Sequence, residues 1–505
     1  MEHITKAFGL KTANTDVCLD IYPGEILALL GENGSGKTTL MNMLSGIYFP
    51  DAGEIFVNGR KAAIKSPKDA YDLRIGMIHQ HFKLVNVLTA AENIILGLNE
   101  SVMIDLKKVR GAVKEICSKY GFAMDPDKKV YDMSVSEKQT LEIIKVLYRG
   151  ADILILDEPT AVLTPQETQK LFSVIRNMKA DGKSVVIITH KLHEVMEISD
   201  RVAVLRRGEY IGDIATKDTN PQQLTDMMVG RSVNLNIERP EPVNVKECLR
   251  IEHLSVIDEE GVRKLDDVSF VANAGEILGV AGVAGSGQKE LLEVVAGLQQ
   301  AQPGSLVIYT DRDGKTSTLI GKTPMEIKKL GVHLAFVPED RLGMGLVGNM
   351  DIADNMLIRS YMDGRSMFVD IGKSRRMAKE IVDEFEVVTP GIVDTAVRKL
   401  SGGNVQKVLV GREISGDPSL LMSAYAVRGL DINTSYMIYR LMNEQKKRGT
   451  AVIFVGEDLD VLLALCDRIL VLCSGRISGI VDGRSATKEE VGLMMTHLGK
   501  VGDDE

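Results

Sequence analysis

No apolar run in the 505-residue chain approaches the roughly 18–20 residues that a membrane span needs, so no transmembrane segment is expected. The start, Met1-Glu2-His3-Ile4-Thr5-Lys6, lacks the apolar region of a secretory signal, and the chain is expected to stay in the cytoplasm. Only five cysteines occur, Cys18, Cys117, Cys248, Cys466 and Cys473, with no CxxC spacing, which excludes a disulfide framework and fits a reducing compartment. The eight histidines are dispersed as well; His190 and His193 could share a helix face, but without companions at ligand spacing they do not make a zinc site. Positive charge is not in excess: the formal net charge is -9, which argues against broad attraction to nucleic acid. With 44% hydrophobic and 26% charged residues, neither disorder nor a coiled coil is indicated, and the length calls for two or more domains.

What is present is a repeat. Gly24-Glu25-Ile26-Leu27 precedes Gly31-Glu32-Asn33-Gly34-Ser35-Gly36-Lys37-Thr38-Thr39, and Gly275-Glu276-Ile277-Leu278 precedes Gly282-Val283-Ala284-Gly285-Ser286-Gly287-Gln288-Lys289. These loops are offset by 251 residues (282 − 31), whereas Ser134 with Ser401 and Asp200-Arg201 with Asp467-Arg468 are offset by 267. Two tandem copies of one α/β domain follow, with about 16 residues added in the second copy, part of them in the polar Tyr309 to Ser317. The expected organisation is a first domain over 1–230, a linker over 231–248, a second domain over 249–498 and a tail over 499–505. Pro221 to Val229 reads as a helix that closes the first copy, with Asn220 as its cap.

The first loop has the full GxxxxGK[ST] pattern between an apolar strand and a helix. Its glycines let backbone N–H groups turn inward around phosphate oxygens, and the helix start adds the positive end of its dipole. Lys37 is placed to meet the β- and γ-phosphates, and the Thr38 hydroxyl to ligate Mg²⁺. Asp152 to Asp157 reads as a buried strand ending in two carboxylates, Asp157 for the metal and Glu158 to orient or deprotonate an attacking water. Ser184 to Ile188 is the next buried strand; His190 beyond it either reaches the γ-phosphate or caps the strand end.

Gln80, a partial Ser134-Val135-Ser136 and a full Leu400-Ser401-Gly402-Gly403-Asn404 complete a set that resembles the ATPase subunits of ABC transporters. The resemblance implies ATP and Mg²⁺ as ligands, with Thr38, Gln80 and Asp157 around the metal. It implies two P-loop NTPase domains, each a RecA-like core with a helical subdomain, the first at about 85 to 150. In that family the domains close head to tail, so that one domain's P-loop is completed by the other's signature, here Ser401, Gly402, Gly403 and Asn404. Phe8, 29 residues before Lys37 (37 − 8), stands where the family usually stacks an aromatic on adenine; its alternative is core packing.

Within the family, Glu158 to Pro165, Pro338-Glu339-Asp340-Arg341 and Arg428-Gly429-Leu430-Asp431 resemble the bacterial simple-sugar and nucleoside importers, and His79 to Val85 the nucleoside branch over the ribose or galactose branch. Such a subunit works on the cytoplasmic face of the membrane with two permease subunits and an extracytoplasmic solute-binding protein or lipoprotein, and the segment after Gln80 accepts a short permease helix. No nucleic acid partner is expected. The chain begins close to Ile4-Thr5-Lys6, where relatives usually have several more residues, so either the first strand is trimmed or the start is misassigned.

The second copy departs at each reactive position. Gln288 and Lys289 replace Lys37 and Thr38; Glu339 replaces Gln80; Ala424, Tyr425 and Glu457 replace Asp157, Glu158 and His190. The first copy's signature also departs, lacking both glycines and carrying Glu137, whose charge repels a γ-phosphate. In a head-to-tail closure these losses fall in one site, leaving one competent composite site. The rival class, a soluble tandem ABC ATPase acting on ribosomes or nucleic acid, resembles two complete sites with a long charged linker, which this chain lacks.

Overall fold

The computed structural model describes residues 1–9, 11–79, 82–98, 105–161, 163–232, 235–258, 260–361 and 370–496. Gln80 and His81, expected at the metal and in the nucleoside-like segment, lie outside the described residues. The chain divides into two units, 1–235 and 236–505, and the division falls inside the stretch read as a linker.

Five consecutive buried residues, Ile26–Leu30, form the strand that leads into the first unit's P-loop. Such a run fits only a sheet covered on both faces, where each large aliphatic side chain contributes about 1.5–3 kcal/mol. Among the described residues this strand lies inside a six-stranded sheet ordered Glu209–Ala215, Arg201–Arg206, Ile26–Leu30, Ser184–Ile188, Ile153–Asp157, Ile75–Ile78. Only Glu209–Ala215 runs antiparallel to its neighbour. The strand that ends in Asp157 is therefore one strand away from the P-loop strand, with Ser184–Ile188 between them. A four-stranded antiparallel sheet, Lys11–Val17, Glu2–Phe8, Ala52–Val57, Arg60–Ala62, stands beside it.

The repeated Gly-Glu-Ile and Asp-Arg pairs meet in space. Asp200 accepts the Ile26 N–H at 2.8 Å and Arg201 grips Glu25 at 2.8 Å, so the Asp-Arg pair pins the start of the P-loop strand. In the second unit Asp467 accepts the Ile277 N–H at 2.8 Å, and Arg468 pairs with Glu276. That unit repeats the plan, with the sheet order Leu334–Val337, Leu420–Ala424, Ala451–Val455, Ile277–Gly282, Arg468–Cys473, Arg476–Asp482.

Helices Ala90–Ile95, Leu106–Tyr120 and Val135–Tyr148 gather their own small core around Ile94, Val113, Leu141 and Ile144. Pro221–Val229 is a helix, and the Asn220 side chain accepts from Gln223 N, as its sequence signals require. The residues added in the second unit are spread over several connections. The offset is 257 at Pro67 and Pro324, each the first residue of a short helix. It is 262 at Asn93 and Asn355, each accepting a valine N–H at 2.8 Å. Only six of the 16 therefore precede Pro324. No described helix is long and apolar enough to cross a membrane.

Candidate functional site

The first unit's loop is built around two close approaches. Gly36 has φ 95°, and a Cβ there would strike the Ala13 carbonyl and the Asn14 amide; one at Gly31 would strike the Leu205 carbonyl and Ser35 Oγ. Helix Lys37–Leu44 starts at Gly36 with no side chain capping it, which leaves its first N–H groups for a ligand. The Ser35 hydroxyl is buried without a hydrogen-bond partner in the same cradle. Lys37 is buried, and Nζ donates to the Gly31 carbonyl at 2.7 Å and the Glu32 carbonyl at 3.0 Å. Burial pulls its pKa down, opposed by Glu158, Asp157 and Glu32.

Asp157 is buried and raised in pKa by burial, while a hydrogen bond with Thr38 pulls it back. The hydroxyl and carboxylate expected at a metal thus stand together despite the intervening strand. Glu158 has φ 47°, a left-handed conformation uncommon in a non-glycine residue. His190 Nδ1 lies 3.0 Å from the Glu158 carboxylate, and this hydrogen bond, against burial, holds Glu158 below the usual carboxylate range. Phe8 is 45% exposed and packs edge-on against Tyr48 at 5.1 Å between centroids, which removes core packing as its role.

Two residues went unnoticed in the sequence. Glu194 is buried and accepts the Thr160 hydroxyl at 2.6 Å and the Thr189 hydroxyl at 3.4 Å, with Lys191 3.2 Å away. It ties the turn after Glu158 to the strand end that carries His190. Asn14, fully buried, donates to the Gly36 carbonyl at 3.3 Å. Neither has a sequence signal beyond its type, although a carboxylate four residues after His190 could have prompted a search.

In the second unit the loop keeps its shape and loses its charge. Gly285 and Gly287 have φ 87° and 99°, close to 80° and 95° at Gly34 and Gly36. Gln288 is buried and its amide donates to the Val283 carbonyl at 3.1 Å, the position of Glu32 in the first unit. Lys289 points to Glu293 at 3.7 Å. Tyr425 repeats the left-handed φ of Glu158 at 50°, and burial, then Glu457 and Glu339, push its phenol up to about 12. A cavity of about 400 Å³ is lined by Lys289, Ala424, Tyr425, Pro338, Glu339 and Met344 among others.

The two signatures differ in how their helix starts are used. Ser401 caps helix Gly402–Ile414 by accepting from Asn404 N, and Asn404 Nδ2 adds a bond to the same hydroxyl at 2.9 Å. In the first unit Glu137 closes a reciprocal capping box with Ser134 and takes the Lys128 ammonium at 2.7 and 2.8 Å. Its charge is paired within its own unit, and the Ser134 N–H is already used.

The ABC transporter family profile matches residues 14–161 and 265–423. The nucleoside import ATP-binding protein NupA of Lactococcus lactis subsp. cremoris is 40% identical over 98% of this chain and 97% of its own. The guanosine import ATP-binding protein NupO of Bacillus subtilis is 43% identical over 98% and 96%. The ribose import ATP-binding protein RbsA 1 of Rubrobacter xylanophilus is 38% identical over 97% and 96%. Among solved structures, an archaeal ribosome recycling factor, aABCE1, in complex with the stalk protein aP1 matches with TM-score 0.61 over 95% of this chain and 90% of that one. At 17% identity this last likeness speaks for the fold alone.

Proposed function

Because the chain belongs to the ABC transporter family, as an importer ATPase with two tandem ATP-binding domains, we propose that it drives uptake of a nucleoside, with turnover at the first unit's P-loop. The observation that carries this reading is the joined set of Lys37, Thr38, Asp157, Glu158 and His190 in one unit against Gln288, Lys289, Ala424, Tyr425 and Glu457 in the other. ATP's phosphates take the loop N–H groups and Lys37; Glu158, held ionised by His190, accepts the proton of the attacking water. Thr38 and Asp157, hydrogen-bonded to each other, would hold Mg²⁺, with Gln80 as a further ligand, and the ion would supply positive charge against the phosphates. By the family's pattern a signature segment meets the γ-phosphate, and the one suited to it is Ser401, Gly402, Gly403 and Asn404, whose helix start has N–H groups to offer.

The same reading places the chain on the cytoplasmic face of the membrane with two permease subunits and an extracytoplasmic solute-binding protein. Two of the relatives named above carry nucleoside or guanosine import in their names, which supports a nucleoside over ribose. The likeness to a ribosome recycling factor does not support the rival reading, because it extends only to the fold.

The test is Glu158→Gln in the transporter reconstituted with its membrane partners. Turnover should fall on the order of 10²-fold or more while ATP binding remains, since general base catalysis contributes about 10²–10⁴-fold. Wild-type turnover would refute the assignment of the working site. In a deletion strain, uptake of labelled uridine, adenosine, ribose and galactose separates the solutes; selective loss of ribose uptake would overturn the nucleoside.

A further inference from the structure

In the second unit a guanidinium stands where the first unit has Ala161. Arg428 pairs with Glu339, and its Nε lies 3.1 Å from the Glu457 carboxylate. Glu339 follows strand Leu334–Val337, Glu457 follows strand Ala451–Val455, and Arg428 itself follows Leu420–Ala424, so one side chain ties together the ends of three strands. They are the segments that in the first unit hold Gln80, His190 and the turn after Glu158. Glu339 and Tyr425 both line the 400 Å³ cavity, so the clasp shares one residue, Glu339, with its lining.

The tie continues toward the signature. Arg341 donates to the Arg428 carbonyl, and its Nη1 lies 3.3 Å from where a Cβ on Gly402 would stand. Arg341 opens a wide helical turn in which Gly345 N bonds the Asp340 carbonyl at 3.0 Å and Leu346 N the Arg341 carbonyl at 2.7 Å, an i to i+5 pattern that recurs at functional positions. On the other side Asp431, three residues after Arg428, caps helix Ile432–Lys447 and lies 3.2 Å from where a Cβ on Gly403 would stand. Gly402 is thus flanked by Arg341, which bonds the Arg428 backbone carbonyl, and Gly403 by Asp431, three residues on from Arg428.

We infer that Arg428 is a positioning residue for ATP turnover: by clasping Glu339 and Glu457 and receiving Arg341, it sets the segment Ser401 to Asn404 without needing a nucleotide on the second unit's own P-loop. The first unit has Ala161 at that position, and His190, the counterpart of Glu457, engages Glu158, the counterpart of Tyr425, instead. The inference rests on the reading that this segment completes the working site.

The experiment measures steady-state ATP turnover of the full-length chain with its membrane partners. Arg428→Ala should lower kcat by about 10- to 100-fold, the effect of misplacing a group that meets the reacting phosphate. KM for ATP should not change, because the first unit's P-loop is untouched. The melting temperature should not move either, because both ion pairs are more than two-fifths exposed and such pairs add little to stability. Arg428→Lys should recover part of kcat, and Glu339→Gln with Glu457→Gln together should reproduce the loss. Wild-type kcat in Arg428→Ala, no recovery with lysine, or a melting temperature that falls in step with kcat would each overturn the inference. Ser401→Arg, which blocks the segment outright, separates the two levels. If it abolishes turnover while Arg428→Ala does not, only the clasp is refuted; if it leaves turnover intact, the composite site falls as well.

Discussion

Replacing Lys446 by methionine should destabilise the second unit far more than the same change at Lys179 destabilises the first, although the two lysines occupy equivalent positions. Each pairs with the aspartate that pins its P-loop strand: Lys179 with Asp200 at 2.6 Å, Lys446 with Asp467 at 2.7 Å. The difference is solvent. Side-chain exposures are 39% and 40% in the first pair but 1% and 6% in the second. The cover comes from the segment after the unit boundary: Asn443 donates to the Glu238 carbonyl at 2.5 Å, Lys446 to the Pro240 carbonyl, and Arg239 to the Leu463 and Cys466 carbonyls at 2.8 Å. Removing one partner of a buried pair strands the other charge at a cost of about 3–5 kcal/mol, against about 0–1 kcal/mol for an exposed pair. Arg484, 4.0 Å from Asp467, and the Ile277 N–H keep part of the compensation, which puts Lys446→Met at the lower end. At about 2–4 °C per kcal/mol for a unit of this size, the second unit's melting should drop by about 6 °C or more and the first unit's by at most about 4 °C. Calorimetry of the full chain, with amide exchange on Ile26–Leu30 and Ile277–Gly282 to assign each transition, reads this directly. Equal shifts for the two variants would refute the argument that burial by residues 238–240 decides the worth of the pair.

His190→Ala should move the acidic limb of the turnover profile to higher pH. The His190 hydrogen bond is the largest influence that lowers the Glu158 pKa, and burial opposes it, so without His190 the carboxylate protonates at higher pH, with Lys37 and Lys191 left to hold it down; an unmoved acidic limb would contradict the pairing. Tyr425→Glu should restore no turnover at the second unit, measured in a Glu158→Gln background, because Ala424 and Gln288 still withhold the metal carboxylate and the phosphate lysine.

Much of the fold and of the first unit's site was legible because its signals are local. A strand of five aliphatics, a GxxxxGKT loop and a strand ending in Asp157-Glu158 each fit within a dozen residues, and the regular offset between copies multiplied their weight. Even the role of the Asp-Arg pair could have been read once the repeat was seen, since both copies place it after the same buried strand. What stayed hidden depends on partners distant in sequence. Arg428 meets Glu339 from 89 residues away, and nothing in Arg-Gly-Leu-Asp names that carboxylate. The four residues from His190 to Glu194 are close, yet a glutamate in a first helical turn ordinarily faces water, and only the packed structure turns this one inward. Only part of the second copy's added residues could be assigned to the 309–317 hairpin from sequence, because the rest are spread a few at a time over connections that carry no local signal.

The substituted positions of the second unit explain one another. A buried polar group left without a partner costs about 1–3 kcal/mol, so losing a catalytic side chain does not by itself leave a stable site. Gln288 keeps the lysine's hydrogen bond to a loop carbonyl and drops only the charge. Glu457, in the place of His190, adds a second carboxylate to that of Glu339; Arg428 supplies the cation that pairs with both. In the first unit's signature Glu137 likewise satisfies the helix start that glycines would leave open, and Lys128 answers its charge. Each unit therefore keeps one half of the nucleotide chemistry available to a ligand and closes the other half on itself. Groups already paired with one another gain less from a phosphate or metal than unpaired ones, and for that reason the loss of turnover proposed for the second unit belongs to the cluster and not to any single residue of it.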